Sequence, residues 1–294
     1  MTEMQAKQIL REYYENVSGG DGFMVVEALE YLIETTKDPK YMHELAWYYA
    51  TIKRVDLEEK YLLMATEYNY GMSFMELGYI YYYGQNGVVD YKKAYQSFSK
   101  GAKLCEAPDK YWCMYKLADF YHNGYYVKKN EDKYRKMIEG LYSKMRFPKY
   151  LSEPFPEVVY RLANIRIEDK KISDAVYLLE CGKEFMQERL RVEPFWGHIE
   201  LMGLIVNTLY GVRNFDYDDI VFWDLFYLVD RHKDISFKYQ GNIYKIETDN
   251  SQAEVAIKFG DVWYKSKQDF FEKARIDEKL LTAIYEDLYK FEVA

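Results

Sequence analysis

Proline is scarce in this chain, at 6 of 294 residues, as are cysteine, at 3, and histidine, at 4. Few prolines beside an aromatic fraction of 18% argue against a disordered chain and for packed helices. Cys105, Cys113 and Cys181 are odd in number and sit inside helical patterns. They read as small buried hydrophobes of a reducing compartment, not as a disulfide framework. His43, His122, His198 and His232 form no His-x-x-x-His pair and no His/Cys cluster at ligand spacing. Cys105 and Cys113 flank Trp112 at a spacing poorly suited to zinc. A phosphate-cradling glycine loop and a nucleophile elbow are both missing. The sequence therefore predicts no metal, no cofactor and no catalytic residue.

Long apolar runs are missing too. The longest, near residues 199–212, is interrupted by Glu200 and Asn207 and is too short to span a bilayer. The first ten residues carry no apolar segment behind a basic start, so they do not read as a signal peptide. The expectation is a cytoplasmic protein without membrane insertion. A net charge of −8 argues against nucleic acid as the main partner. The basic pairs Lys92-Lys93 and Lys128-Lys129 read as solvated faces. Asp216, Asp218 and Asp219 precede a helical stretch, where carboxylates complement the positive end of the helix dipole; no calcium-type glycine turn accompanies them.

Tyrosine is abundant instead, with 33 residues, and it recurs in register. A Leu-small-x-x-Tyr unit appears as Leu45-Ala46…Tyr49, Leu77-Gly78…Tyr81 and Leu117-Ala118…Tyr121, at intervals of 32 and 40 residues. A pattern returning at this period implies stacked helical hairpins. Two helices, 3–17 and 23–36, lie ahead of the array with a glycine-rich loop at 18–22 between them. Asp38-Pro39 then opens the first hairpin as N-cap and first helical residue. The hairpins span about 38–69, 72–104 and 109–143. Gly78, Ala94 and Ala102 allow close helix approach, while Tyr81 and Phe98 fill the space between hairpins.

Phe147-Pro148 and Pro154-Phe155-Pro156 interrupt the array. A fourth, degenerate hairpin is expected at 156–189, an apolar helix after Pro194, and another helix over Asp216–Arg231. Beyond residue 233 the apolar period becomes alternating, which predicts β-hairpins around Gln240-Gly241-Asn242 and Gly260-Asp261. Strands are expected only in about 234–265, followed by helices over Gln268–Ala274 and Asp277–Tyr289, the latter with Leu280, Leu281, Ile284 and Leu288 on one face. The reading is a mostly α chain: N-terminal capping helices at 1–37, an α-solenoid of hairpins at 38–143, degenerate helices at 144–233 and a small α+β domain at 234–294.

The second and third hairpins resemble Sel1-like repeats, relatives of the tetratricopeptide repeat (TPR). Leu77-Gly78, Tyr81, Gly84, Asp90, Lys93-Ala94, Phe98 and Ala102 match that family's pattern in register, with its Gly-Val displaced by one to Gly87-Val88. Leu117, Tyr121, Gly124 and Val127 match in the third, where Asn130 and Tyr134 replace Asp and Ala. The resemblance covers about 38–143 and implies an adaptor or scaffold that binds a protein or peptide in the concave groove lined by first helices. On that geometry His43 and Trp47, then Met75, Tyr79, Tyr82 and Tyr83, then Tyr115, Asp119, His122 and Asn123 form the candidate groove. Rigid aromatics with polar tips suit such a surface. Two rival readings are an enzyme or ligand sensor with its site in the C-terminal module, and an immunity or antitoxin-like protein whose acidic surface neutralises a basic partner.

Overall fold

A computed structural model describes residues 1–15, 22–249 and 255–293. The chain divides into two compact units, 1–141 and 142–294. In the first, α1 (Glu3–Glu15) packs on α2 (Gly22–Thr36). The loop expected at 18–22 falls on residues 18–21, outside the described residues, and on Gly22, which is already helical.

Three hairpins follow: α3 (Pro39–Thr51) with α4 (Val55–Thr66), α5 (Gly71–Tyr83) with α6 (Tyr91–Leu104), and α7 (Asp109–Asn123) with α8 (Glu131–Lys144). Asp38 caps α3 by accepting from the Lys40 N–H at 2.9 Å, with Pro39 in the first helical turn. Gly84 and Gly124 end α5 and α7 at φ 66° and 77°, the left-handed region that favours glycine. In both loops an Asx residue then caps the second helix. Asp90 accepts from the Lys93 N–H and Asn130 from the Lys133 N–H, each at 2.9 Å, so the exchange of Asp for Asn preserves the cap.

Leu45, Ala46, Leu77 and Ala118 are buried where the repeat pattern places them. Gly78 explains how closely α5 and α6 approach: a Cβ built on it would stand 2.7 Å from the Phe98 ring. Phe98 is fully buried and meets Phe120 of the next hairpin edge-on. The repeat tyrosine reaches back to the preceding second helix. Tyr81 donates to Glu59 Oε1 at 2.7 Å. One hairpin later the residue at Glu59's position is Tyr95; its hydroxyl pairs with that of Tyr121 at 2.8 Å, and Lys133 Nζ donates to Tyr121 at 2.8 Å.

The second unit begins with the proline-interrupted segment. Arg189, 2% exposed, gathers it by donating to the carbonyls of Leu151 and Glu153 and pairing with Glu157 at 2.7 Å. Arg189 lies on α10 (Ile172–Val192), which packs against α9 (Phe155–Glu168) as the fourth hairpin; α11 (Trp196–Val212) follows. The helix expected over Asp216–Arg231 is much shorter: a 3-10 turn at Phe222–Asp224 leads into α12 (Leu225–Val229). Asp216, Asp218 and Asp219 lie in loop, where Asp216 accepts from the Asp218 N–H, so they face no helix N-terminus. The buried carboxylate that matters here is Asp224, 1% exposed, which accepts from Lys183 Nζ at 2.6 Å, the Tyr210 hydroxyl at 3.0 Å and the Val221 N–H at 3.1 Å.

The two predicted β-hairpins form, β1 (Ile235–Tyr239) with β2 (Asn242–Asp249) and β3 (Ala256–Phe259) with β4 (Val262–Tyr264), and α13 (Lys267–Lys273) follows. The helix expected over Asp277–Tyr289 does not form. Asp277 and Glu278, at φ 48° and 69°, turn a short hairpin between β5 (Arg275–Ile276) and β6 (Lys279–Leu280). Two 3-10 turns come next, and β7 (Tyr289–Val293) pairs antiparallel with β1, giving the order β4-β3-β2-β1-β7. Strands therefore extend well past residue 265. An extended 289–293 satisfies the backbone edge of β1, which a helix would leave open, while Leu281, Ile284 and Leu288 are buried from 3-10 turns and loop without an α-helix. Phe270 of α13 meets Phe259 on the inner sheet face, and Phe271 stacks on Phe226 of α12 at 4.0 Å.

Two glycines test the packing of the first unit. Gly78→Leu should destabilise by about 1–3 kcal/mol through overpacking against Phe98. Gly140 lies mid-helix in α8 with nothing within 4 Å of a built Cβ, so Gly140→Ala should stabilise by about 0.5–1 kcal/mol through helix propensity. Urea denaturation reads both; equal and opposite shifts from those stated would contradict the packing.

Candidate functional site

The first helices touch one another directly. His43 Nδ1 on α3 meets Ser73 Oγ on α5 at 3.1 Å, and Lys116 Nζ on α7 donates to the Tyr83 hydroxyl on α5 at 2.6 Å. The face they share follows from helical spacing: the residue just before the repeat leucine, two after it and six after it lie in one column. That column reads Glu44 and Trp47 on α3, Glu76, Tyr79 and Tyr83 on α5, and Lys116, Asp119 and Asn123 on α7. Trp47 and Tyr83 are 54% and 56% exposed, which makes them the ring surface a partner could reach. Tyr79 is half-buried and stacks parallel to Tyr83, one turn along α5, at 6.3 Å between centroids.

The other candidates sit one position off this column and turn inward. Met75 and Tyr115 are 7% and 8% exposed, and Asp119, although it belongs to the column, is 3% exposed. Tyr82 is half-buried among Tyr91, Phe98, Phe120 and Tyr125, with centroids 5.6–6.4 Å away, so it is a packing residue between hairpins. His122 is half-buried, with its ring 4.4 Å from that of Tyr134 and Nδ1 3.3 Å from Glu131 Oε2. These residues shape the face from beneath.

Three charged residues of the face, Lys116, Glu76 and Glu44, escaped the sequence reading. Lys116 is 8% exposed, and its ammonium lies 4.9 Å from the ring centroids of both Tyr82 and Tyr83, 5.7 Å from Tyr79 and 5.8 Å from Tyr115. Asp119 Oδ2 stands 3.8 Å from it. The cation thus occupies an aromatic cage and locks the orientation of the exposed Tyr83. Glu76 is the second: burial pushes its pKa up to about 7, with repulsion from Glu58 and Asp109 adding to the shift. Burial likewise raises Glu44, Glu58 and Asp109, and lowers His43 to about 4. The signal was present in the repeat itself, since the position before each leucine is charged: Glu44, Glu76, Lys116.

In the C-terminal module a cleft of about 740 Å³ lies beside Lys245, Lys258, Lys273 and Arg275. Lys258 is paired with Glu247 at 2.8 Å and Lys273 with Asp269 at 2.5 Å. Among the described residues no group of three or more His, Cys, Asp or Glu is placed to hold a metal ion, and no helix is long and apolar enough to cross a membrane.

No family model and no curated protein matches the sequence. Solved structures do match. A Sel1 repeat protein from Oxalobacter formigenes superposes with a TM-score of 0.50 at 17% identity, over 71% of this chain and 79% of that one. This is a Sel1/TPR-like repeat fold. The TPR-like repeats of a kinesin light chain sequence from Podospora anserina match at TM-score 0.38 and 17% identity, over 59% and 85% of the two chains. The antigen c5321 of uropathogenic Escherichia coli, which has an SLR fold, matches at TM-score 0.35 and 12% identity, over 72% and 67%. Trp47 lies on the first helix of the first hairpin, and Tyr79 and Tyr83 on that of the second.

The perturbed groups give a pH test. Glu76 binds a proton more readily folded than unfolded, so its contribution to stability is complete below about pH 4.5 and is lost as the pH rises through 7. His43 has the opposite sign: its contribution is present above about pH 6.5 and is lost as the pH falls toward 4. Glu76→Gln should therefore be more stable than wild type at pH 8 by on the order of 2 kcal/mol, with the gap closing by pH 4.5. Urea denaturation across this range measures it; a gap independent of pH would show that Glu76 is not desolvated. In the same assay Tyr82→Ala should cost about 2–4 kcal/mol and Tyr83→Ala less than about 1 kcal/mol.

Proposed function

We propose that the protein is a non-catalytic scaffold whose first-helix face, the concave face of a Sel1-like array, holds a segment of a partner protein. The observation that carries this reading is the exposure of Trp47 and Tyr83 on helices that contact each other, above a layer of rings fixed by Lys116. An aromatic side chain already held in its bound orientation gives contact area at little entropic cost. The Trp47 indole and the outer side of Tyr83, whose inner side packs on Tyr79 and Tyr82, stay open to solvent. The half-buried carboxylates of Glu44 and Glu76 stand in the same column, so a segment bearing Lys or Arg beside an apolar residue fits its chemistry.

The reading is tested by recovering partners from the native host with the tagged chain, then measuring affinity by calorimetry. Trp47→Ala and Tyr83→Ala should each weaken a captured partner by about 1–2 kcal/mol while leaving the melting temperature within a few degrees. Glu76→Gln should weaken it more at pH 8 than at pH 6, because the wild-type carboxylate is ionised only at the higher pH. A partner indifferent to both ring substitutions would remove the first-helix face from consideration.

A further inference from the structure

The opposite side of the first unit carries a second surface that the repeat pattern does not require. Between the second helices α4 and α6 runs a cleft of about 710 Å³. Its floor is α5, through the buried side chains of Phe74, Leu77 and Tyr81, and Leu63 on its rim is 46% exposed. Lys93 and Lys100 stand along the α6 wall. Their ammonium groups lie 5.0 Å above the Tyr81 ring and 4.9 Å above the Phe74 ring, and neither has an ion pair among the described residues. The carboxylate in the cleft is Glu59, and it is already engaged: it accepts from Tyr81 at 2.7 Å and from Asn86 at 3.0 Å.

Lys93 belongs to the repeat pattern, whereas Lys100, which makes the pair, does not. The equivalent positions on α8, forty residues on, are Lys133, whose ammonium is bonded to Tyr121, and Gly140. On α4 they are Leu57 and Met64. In a chain of net charge −8, α6 holds four lysines and no acidic residue. A positive wall over an apolar floor is complementary to an acidic strand with an apolar side chain.

We propose that this cleft docks an acidic, extended segment of a partner protein, with two carboxylates on Lys93 and Lys100 and an apolar side chain against Leu63 and the Phe74–Leu77 floor. The two lysines are seven residues apart, about 10.5 Å along the helix at about 1.5 Å per residue. Carboxylates three residues apart in a polyproline-type segment lie on one side, about 9 Å apart. An i, i+3 acidic pair flanking a leucine therefore matches the spacing. The site is separate from the first-helix face and does not depend on it.

The test uses a dye-labelled peptide, Ser-Glu-Leu-Pro-Glu-Ser, with fluorescence anisotropy on the full chain at low ionic strength. Saturable binding is expected that weakens with added salt. It should fall about tenfold in the Lys93→Ala/Lys100→Ala double variant and comparably in Leu63→Asp. All three positions are exposed, so their melting curves should match wild type. A Lys136→Ala/Lys144→Ala variant, with the same change in net charge on α8, should bind as wild type does. The proposal is overturned by any of four results: no saturable binding to wild type, equal binding by the Lys93/Lys100 double variant, equal binding of the peptide with Gln in place of Glu, or tighter binding of an oligothymidine of matched charge.

Discussion

The stacking of the first unit depends on the contact between Gly78 and Phe98. With no Cβ at Gly78, the ring of Phe98 lies against the α5 backbone, and the two helices of that hairpin approach closely enough to bury it completely. A ring so placed reaches past its own hairpin. Phe98 meets Phe120 and Tyr82, Tyr82 meets Tyr91 and Tyr125, and the second and third hairpins become one packed body. Tyr81 and Tyr121 add one directional bond per hairpin to the second helix behind. The partner changes from the carboxylate of Glu59 to the phenol of Tyr95, with Lys133 supplying a further donor. The bond is kept while the residue types drift, because a buried hydroxyl is costly when left unpaired.

This packing leaves two faces with different chemistry. On the first-helix side the position before each repeat leucine is charged. Where that charge is Glu44 or Glu76, burial raises its pKa; where it is Lys116, the surrounding tyrosines and Asp119 hold the cation in place. The second-helix side concentrates positive charge on α6 above an apolar floor. The two surfaces share α5, whose column of Glu76, Tyr79 and Tyr83 faces one side and whose column of Phe74, Leu77 and Tyr81 faces the other.

The second unit adds buried charge to a ring-rich core. Arg189 holds the irregular 145–154 segment by its backbone carbonyls, and Asp224 gathers Lys183, Tyr210 and the Val221 N–H. Such groups are strongly destabilising to remove singly, since the partner is left charged in a poorly solvated site. The sheet closes differently: β7, at the end of the described chain, supplies the last hydrogen-bonded edge.

The hairpin boundaries, the loops ending in Gly84 and Gly124, the Asp38 cap and the close approach at Gly78 were legible because each rests on local chemistry: turn conformation, capping and a repeated small-large alternation. The two β-hairpins were legible for the same reason, in their alternation and glycine turns. The C-terminal helix over Asp277–Tyr289 was misread because Leu280, Leu281, Ile284 and Leu288 do recur at helical spacing. Only the free edge of β1, formed by residues fifty positions earlier, makes extended structure the better solution for 289–293. The candidate groove divides in the same way. Sequence placed Trp47, Tyr79 and Tyr83 on first helices, but a one-position difference in helical phase sends Met75, Tyr82 and Tyr115 into the packing beneath. Period and alternation by themselves determined a stack of helical hairpins with a small α+β module behind it, and the matched repeat motif carried the resemblance to Sel1-like repeats. Tertiary structure alone decided which rings stay in solvent, that Lys116 sits among tyrosines, and that Lys93 and Lys100 flank an apolar cleft, because burial depends on neighbours that lie tens of residues away in the chain.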